Sequence, residues 1–525
     1  TITTPKDWRK DFGLETRQPP SLFTNKEELK PATPQAHLLR RAFELLEVDG
    51  VLCTDHSPLI YFKQVKRITA ESVYQLHRHF WNHGGAPVLV LISDTDVHVY
   101  SGMNRPGQSA PSGSGQLPSH IETLKRVSET LRTFLTAVES GEYFHRHQKS
   151  FNPAQRVDRD LLDNLQATCE KLEAISVSRR KIPVNVLDAL LCRLVFTCYL
   201  FDREVIGESY LDALGIRDAA HLRDVLAIQP RSKAKSSLYK LFEKLRKDFN
   251  GDLFSDDLKA EADWVLDDHI KTLSDFFHGT LVRSGQGSFW LYDFAFIPIE
   301  TISAIYERFL KEADEKVGAF YTPRFLAEVV LDMALADTPT LLGKRSLDPA
   351  CGSGIFLVGL FNRIAEEWKQ ANPNARNDTK ARELMRLLQT HLFGIDVKET
   401  ACRITAFSLY LAYLDQLSPR GIQELQEKGR ALPRLIVDGG NIQFADFFAK
   451  DVAFPSDVDI VIGNPPWGSI ATTATPAGKW CAAHDRLLPD KQIAAAFVWK
   501  AVEHLAEGGK VCFVLPHGLL FNHSP

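Results

Sequence analysis

Residues Asp348 to Gly354 place an acid, a proline and two glycines at the end of a hydrophobic run. An apolar helical pattern resumes immediately afterwards, so the stretch predicts a strand, a tight turn and the start of a helix. Glycines at 352 and 354 let a ligand approach the main chain, and the N–H groups at a helix start favour a negatively charged group. The stretch predicts a cradle for a nucleotide-like ligand, with Asp348 suited to a hydroxyl or cationic part of it.

Polar residues also end three later strands. The first strand ends in Asp396, at the position where a doubly wound sheet usually grips a ribose diol. The second unit offers Asp446 to a purine amino group and Phe447 to a purine face. The third strand, residues 458–463, runs into Asn-Pro-Pro-Trp. We expect all these strand ends to fall along one edge of a sheet.

The Asn-Pro-Pro-Trp tetrapeptide suits methylation of a planar amino group. The Asn464 side-chain oxygen and the Pro465 carbonyl can both accept from an amine, which aims its lone pair at an electrophile without a strong base. Pro465 and Pro466 stiffen the loop, and Trp467 gives a base a face to stack on. A base inside a duplex cannot reach such a loop, so flipping of the base is expected.

The order of these elements resembles a known family. Phe320-Tyr321-Thr322-Pro323 precedes the glycine loop, and the acids and the Asn-Pro-Pro-Trp tetrapeptide follow it. This order is similar to that of S-adenosylmethionine-dependent adenine-N6 DNA methyltransferases of the type I and type IIG restriction-modification kind and their phage-defence relatives. The resemblance implies cofactor contacts at Phe320, Tyr321, Thr322, Asp348, Ala350, Gly352, Gly354, Asp396, Asp446 and Phe447, and target-base contacts at Asn464, Pro465, Pro466 and Trp467.

The same resemblance implies binding partners, and two alternative functions remain open. Double-stranded DNA and other subunits of a restriction or phage-defence complex are the implied partners. One alternative is an N5-glutamine or RNA-guanine methyltransferase, because Asn-Pro-Pro-aromatic serves any planar amide or amino group. The other is a non-catalytic subunit that binds the cofactor inside a defence complex. The tetrapeptide favours catalysis, and the Phe-Tyr-Thr-Pro segment favours DNA.

The composition of the chain limits the classes of protein to which it can belong. The chain has 525 residues, of which 44% are hydrophobic and 24% charged, and its net charge is -4, so any nucleic-acid surface must be local. The eight cysteines contain no C-x-x-C pair and suggest neither a metal site nor a disulfide framework. With no signal-peptide core and no long uninterrupted apolar run, we expect a cytoplasmic protein without a membrane span.

The chain organisation predicts an α/β protein in several parts. The expected core is a doubly wound, Rossmann-like methyltransferase sheet at 316–525, incomplete at its carboxyl end, which would leave sequence recognition to a later segment or a partner subunit. A helical bundle at 156–315 precedes it, with the apolar stretch 184–203 as its central helix. The remaining predicted parts are an arm at 1–36, a small α/β domain at 37–101 and a linker with a helix at 102–155.

Two local features in these parts have alternative interpretations. The small domain resembles nuclease domains that hold a metal with a Glu-x-Lys, but Tyr61 stands at the acidic position before Lys63, so we expect it to be inactive. Residues 231–247 carry seven basic side chains beside an apolar stripe. That helix is either an ordinary solvated face or a surface that contacts phosphates.

Overall fold

The chain divides into two compact units in the computed structural model. The amino-terminal unit comprises Thr1–Glu170 with Thr272–Pro298, and the carboxyl-terminal unit comprises Lys171–Lys271 with Ile299–Pro525. The residues that the structure describes are 7–30, 33–54, 57–66, 68–107, 109–110, 116–177, 180–249, 257–278, 291–302, 322–427, 432, 435–436, 440–449, 452, 455–469, 472 and 474–521.

A mixed β-sheet forms the centre of the amino-terminal unit. Within the described residues its strands follow chain order across the sheet, and the central pair, β3 and β4, is parallel while all other neighbours are antiparallel. The apolar runs 87–92 and 97–100, with the turn 93–96 between them, predict a hairpin, which is confirmed as β4 and β5. The strands are β1 (Leu22–Phe23), β2 (Gly50–Thr54), β3 (Ser57–Gln64), β4 (Val88–Ile92), β5 (Asp96–Ser101) and β6 (His120–Lys125).

Alternate side chains of β3 pack into the apolar clusters on the two opposite faces of this sheet. Ile60 and Phe62 pack in one apolar cluster, where Trp8 of the amino-terminal arm stacks on Phe62, whereas Tyr61 points into the opposite cluster. The helices of this part are Trp8–Phe12, Ala36–Leu45, Ala70–His83, Ser128–Glu139, Glu142–Arg146 and Val157–Ala174, with 3₁₀ turns at Lys26–Glu28, Gln148–Ser150 and Pro153–Gln155.

One predicted helix is partly wrong. Within the range 102–155 the sequence predicts a helix over Ile121–Glu139, but His120–Lys125 is the edge strand β6 and the helix begins only at Ser128. Pairing with β5 decides the conformation, since Val97 lies opposite Leu124 and Val99 opposite Glu122. Local pattern could not reveal that non-local partner.

A late segment also packs on the helix Ala70–His83. Asn82, fully buried, donates from Nδ2 to the Leu291 carbonyl at 2.9 Å and accepts from the Asp293 N–H at 3.0 Å. The ring of Tyr292 stacks on Trp81. For this reason the compact units do not coincide with the predicted ranges 37–101, 102–155, 156–315 and 316–525.

The nuclease-like positions are occupied by main-chain contacts. Lys63 Nζ donates to the carbonyls of Leu46 at 2.7 Å and Glu47 at 2.9 Å. Asp49 accepts from the Gln64 N–H at 2.7 Å. Tyr61 is fully buried in the apolar cluster. That this domain is inactive as a nuclease stays a prediction from sequence.

The helix Val184–Asp202 is the apolar centre of the first part of the carboxyl-terminal unit. It is long and apolar enough to cross a membrane, yet 72% of its most apolar window is buried inside the structure. It packs on the helix Glu399–Asp415, where Phe196 meets Phe407 edge-on and Arg203 pairs with Asp415. The prediction of a central, buried helix is confirmed.

Further helices and a short hairpin complete this unit. The hairpin is β7 (Ser176–Val177) with β8 (Arg180–Lys181). The other helices are Glu208–Asp212, Leu222–Ala227, Arg231–Phe249, Leu258–Trp264, Asp267–Phe277, Arg324–Leu335, Ile355–Ala371, Asn377–His391, Pro419–Glu427, Pro476–Ala483, Ile493–Glu503 and Gly518–Phe521, with a 3₁₀ turn at Pro489–Lys491.

A parallel sheet forms the core of the carboxyl-terminal unit. Its described strands lie in the order β11-β10-β9-β12-β13, and every neighbouring pair is parallel. This is the predicted doubly wound α/β fold. The sequence predicts the fifth strand at Lys510–Leu515, but β13 begins at Leu505, because Leu505 already pairs with Val458 before a register shift. The strands are β9 (Ser346–Asp348), β10 (Leu392–Asp396), β11 (Ile442–Phe444), β12 (Val458–Gly463) and β13 (Leu505–Phe513).

Candidate active site

The site lies where the order in which successive strands are added across the parallel sheet changes direction. β9 is followed outward by β10 and β11 on one side and by β12 and β13 on the other, so the switch point falls between β9 and β12. In such sheets a crevice opens beyond the carboxyl ends of the strands at this point. Asp348 ends one of these two strands and Gly463 ends the other.

The glycine loop is held in a conformation that needs glycine. Gly354 is the N-cap of the helix Ile355–Ala371 with φ 80°, and a Cβ there would lie 3.0 Å from Thr405 Cγ2. Thr405 Oγ1 donates to the Gly352 carbonyl at 2.9 Å. The loop therefore packs directly on the helix Glu399–Asp415, a contact that the sequence analysis did not anticipate.

Asp396 joins the end of β10 to the glycine loop. Its Oδ2 accepts from the Gly352 N–H at 3.0 Å and its Oδ1 from the Lys398 N–H at 2.9 Å. Burial raises the pKa of Asp396, while the two backbone hydrogen bonds and the Lys398 charge oppose that rise. The carboxylate is half-buried, so its remaining acceptor positions can serve a bound hydroxyl.

Asp348 is buried at the carboxyl end of β9, beside the switch point. It is 1% exposed, and its Oδ1 accepts from the Ala350 N–H at 3.1 Å. A Cβ added to Gly463 on the neighbouring strand would approach that oxygen to 2.6 Å. The switch point therefore brings the Asp348 carboxylate against the backbone that leads into Asn464.

We expect Gly463→Ala to destabilise the protein by about 1–3 kcal/mol, because the added methyl must displace a buried carboxylate or the strand backbone. Chemical denaturation measures this free energy of unfolding. Gly207→Ala is the matched control, since nothing lies within 4 Å of its added Cβ. Equal stability of the two variants would contradict the packing described here.

The Asn464 amide is oriented by a residue that precedes the glycine loop in sequence. Asn464 Nδ2 donates to Thr322 Oγ1 at 3.1 Å, and Thr322 is 4% exposed. A threonine directly before Pro323 predicts a helix N-cap at Thr322, but the N-cap of Arg324–Leu335 is Pro323 and no side chain caps it. The hydroxyl bonds Asn464 instead, which directs the amide nitrogen to Thr322 and the oxygen away from it.

The rest of the tetrapeptide is anchored to the neighbouring strand. Pro465 is buried, and Pro466 and Trp467 are half-buried. Trp467 Nε1 donates to the Val514 carbonyl at 3.1 Å, just beyond β13. This contact fixes the indole edge while part of the ring remains accessible.

Asp446 and Phe447 follow β11 but face different surroundings. Asp446 is half-buried, and its Oδ1 accepts from the Phe448 N–H at 2.8 Å. Phe447 is 1% exposed and its ring stacks on Phe497, with centroids 5.4 Å apart. The structure therefore brings Asp446 to the strand edge and places the Phe447 ring in the core. Ala350 lies in the loop beside Asp348, while Phe320 and Tyr321 fall outside the described residues.

Two apolar side chains at this edge were missed by the sequence analysis. Val397, immediately after Asp396, is 61% exposed, and Phe444, the last residue of β11, is 57% exposed. Large apolar groups left in water beside polar strand ends are typical of a binding surface. The available signal was their position at strand ends, because Val397 directly follows β10 and Phe444 ends β11.

The comparisons with known proteins agree with this geometry. Residues 298–524 match the family model described as N-6 DNA Methylase. The matched range is similar to N-6 DNA methylases. It contains the switch point and each described residue of the predicted site.

Curated relatives are similar over part of their length. The chain is 24% identical over 222 residues to the type I restriction enzyme EcoEI methylase subunit of Escherichia coli, covering 42% of this chain and 37% of the relative. It is 25% identical over 241 residues to the MjaIX methylase subunit of Methanocaldococcus jannaschii, covering 42% and 33%. The adenine-specific methyltransferase PglX of Streptomyces coelicolor is 26% identical over 191 residues, covering 30% and 15%. The chain thus spans about a third or less of these relatives.

Among solved structures, the chain is similar to a type I restriction-modification methyltransferase subunit from Streptococcus thermophilus. The match has 16% identity and a TM-score of 0.42, and it covers 70% of this chain and 76% of that one.

Proposed function

We propose that the chain is an S-adenosylmethionine-dependent DNA methyltransferase that acts on the N6 amino group of adenine. The methyl group would mark host DNA in a restriction-modification or phage-defence system. One observation carries the proposal: the switch point holds Asn464, oriented by Thr322, directly after Gly463, whose backbone lies against Asp348 at the neighbouring strand end. The adenine-specific relative and the type I methylase subunits support it.

The hydrogen-bond acceptors and apolar surfaces at this sheet edge fit the proposed cofactor. Asp396 would accept from the ribose hydroxyls, and Asp446 from the adenine amino group. Val397 and Phe444 offer exposed apolar surface for the adenine ring. The glycine loop leaves room for the chain of the methionine part, since Gly352 has φ 55° and carries no side chain. When bound, S-adenosylmethionine supplies a methyl group made electrophilic by a positively charged sulfur.

The Asn464 loop would prepare the attacking amine. The Asn464 Oδ1 and the Pro465 carbonyl each accept one N6 hydrogen, which draws the nitrogen toward tetrahedral geometry and points its lone pair at the methyl group. Because Asn464 Nδ2 is committed to Thr322 Oγ1, the amide presents its oxygen to the base. The Trp467 ring, tied through Nε1 to Val514, gives the flipped adenine a face for stacking.

A methylation assay with tritiated cofactor tests this function on DNA, RNA and protein in parallel. Label in adenine of DNA is the expected result. Label in guanine of RNA, or in glutamine of protein, would replace the proposal by the corresponding alternative. Cofactor binding with no transfer to any of the three, including in the presence of the partner subunits, would favour a non-catalytic subunit.

The helix Arg231–Phe249 is the proposed surface for the DNA backbone. Its inner stripe, including Leu238, Leu241 and Leu245, is buried, which leaves the basic residues on the outer faces. Lys233, Lys240 and Lys247 are exposed, and their spacing of seven residues places them along one side of the helix. Such a row suits the evenly spaced phosphates of a duplex, independent of sequence.

We expect the triple change of Lys233, Lys240 and Lys247 to Gln to make DNA binding less salt-dependent. Each lost phosphate contact lowers the slope of log K against log salt by about 0.9, so the slope should fall by about 2.7. Fluorescence anisotropy over a salt series measures it. Changing the exposed Lys10, Lys66 and Lys149 to Gln removes the same charge elsewhere and should leave the slope unaltered. Equal slopes for both triple variants would exclude this helix as the DNA surface.

A further inference from the structure

A lysine is buried within residues 298–524, the range that matches the N-6 DNA Methylase family model. Lys500 lies near the end of the helix Ile493–Glu503 and is only 6% exposed. Lysine is among the residues least often buried, because its charge loses hydration in the interior. Burial lowers the pKa of Lys500, and the nearby Asp446 and Glu503 carboxylates oppose that change. A buried cation beside Asp446 requires a structural or functional reason.

The contacts of Lys500 centre on the loop that carries Asp446. Lys500 Nζ donates to the Phe447 carbonyl. It also lies over the rings of Phe447 at 5.0 Å and Phe448 at 5.4 Å, with Trp480 at 5.9 Å. Ring faces attract a cation, most strongly where water is excluded. Lys500 therefore fixes both the backbone and the aromatic side chains that directly follow Asp446.

By holding the loop backbone, Lys500 also constrains the Asp446 carboxylate. The Phe448 N–H, one residue beyond the carbonyl that Lys500 holds, donates to Asp446 Oδ1 at 2.8 Å. Lys500 therefore acts on the Asp446 carboxylate through the loop backbone, by holding the peptide group whose N–H that carboxylate accepts.

The other end of the same helix contacts the Asn464 loop. The Ile493 N–H donates to the Gly468 carbonyl at 3.0 Å, and Gln492 Nε2 donates to Ser469 Oγ at 3.1 Å. Gly468 directly follows Trp467. One helix of eleven residues thus contacts the loop proposed for the target base and the loop proposed for the cofactor.

We infer that Lys500 is a positioning residue that holds Asp446 in place to accept from the adenine amino group of the cofactor. The inference rests on the proposed function, because it assigns a role within the cofactor site. Lys500 itself acts through Asp446 and the Phe447 carbonyl. Its removal should therefore weaken cofactor binding only when the Asp446 carboxylate is present to be positioned.

Calorimetry with S-adenosylhomocysteine tests this with double-mutant cycles. We expect Lys500→Met to weaken binding roughly 10-fold, the loss of a hydrogen bond to a charged group. In an Asp446→Ala background, which lacks the acceptor, the same change should have little further effect, whereas in an Asp396→Ala background it should again cost roughly 10-fold. A general disturbance of the fold would lower affinity equally in both backgrounds. Lys479→Met, an exposed lysine on the neighbouring helix Pro476–Ala483, is the control for charge.

The outcomes separate this inference from the proposed function. Unchanged affinity in folded Lys500→Met, or equal losses in both backgrounds, overturns the role of Lys500 and leaves the proposed function standing. Failure of the unsubstituted protein to bind S-adenosylhomocysteine overturns both. Thermal unfolding establishes that each variant is folded. If Lys500→Met is not, the same cycles with Lys500→Gln decide by the same two results.

Discussion

Asn464→Ala should reduce the rate constant for methyl transfer by about 10³-fold or more, while the Kd for S-adenosylmethionine changes less than about 2-fold. The reason is that the Asn464 oxygen would act on the amino group of the base and has no part in holding the cofactor. The Thr322 hydroxyl, which orients the amide, remains but has nothing to orient. Single-turnover methylation at saturating cofactor measures the rate constant, and calorimetry measures the Kd.

Asn372→Ala is the matched control for this loss. Asn372 is exposed, and its Nδ2 donates only a local bond to the Trp368 carbonyl at the end of the helix Ile355–Ala371. That variant should methylate at the unsubstituted rate. Adenine methylation retained in Asn464→Ala would remove Asn464 from the proposed mechanism, and a parallel loss of cofactor binding would mean that the loop had been displaced.

The parallel sheet was predictable because its signals are local. β10 and β12 are short apolar runs that end in an acid or in a glycine followed by asparagine. A doubly wound arrangement then brings those ends to one edge whatever the details of packing. The positions of Asp348, Asp396 and Asn464 followed from this rule, and the structure places all three at strand ends.

The contacts between loops were not predictable, because each depends on residues distant in sequence. Thr322 bonds Asn464 across 142 positions of the chain, and Lys500 bonds Phe447 across 53. The burial of Phe447 follows from Phe497, on a helix that the sequence analysis did not connect with the cofactor. β6 likewise became a strand only through β5. Periodicity identifies elements, but these side-chain pairings arise when the elements pack.

Asp396→Ala should weaken S-adenosylmethionine binding by about 1–3 kcal/mol, through loss of charge-assisted hydrogen bonds to the ribose. The structure adds a second contribution, because Asp396 also accepts from the Gly352 N–H and so ties the glycine loop to β10. Calorimetry measures the change. Asp396→Asn separates the two contributions, since the amide oxygen can still accept one of these bonds without the charge.

The pH dependence of binding gives an independent check on Asp396. Burial raises the pKa of Asp396 above its usual 3.8. The ionised carboxylate is the better acceptor for ribose hydroxyls, so affinity should be complete above that raised pKa and should fall as the pH drops through it. Asp396→Asn cannot titrate and should lose this dependence while the unsubstituted protein keeps it. If both proteins show the same pH profile and the same Kd, the ribose is bound elsewhere, and Asp396 serves only to hold the glycine loop.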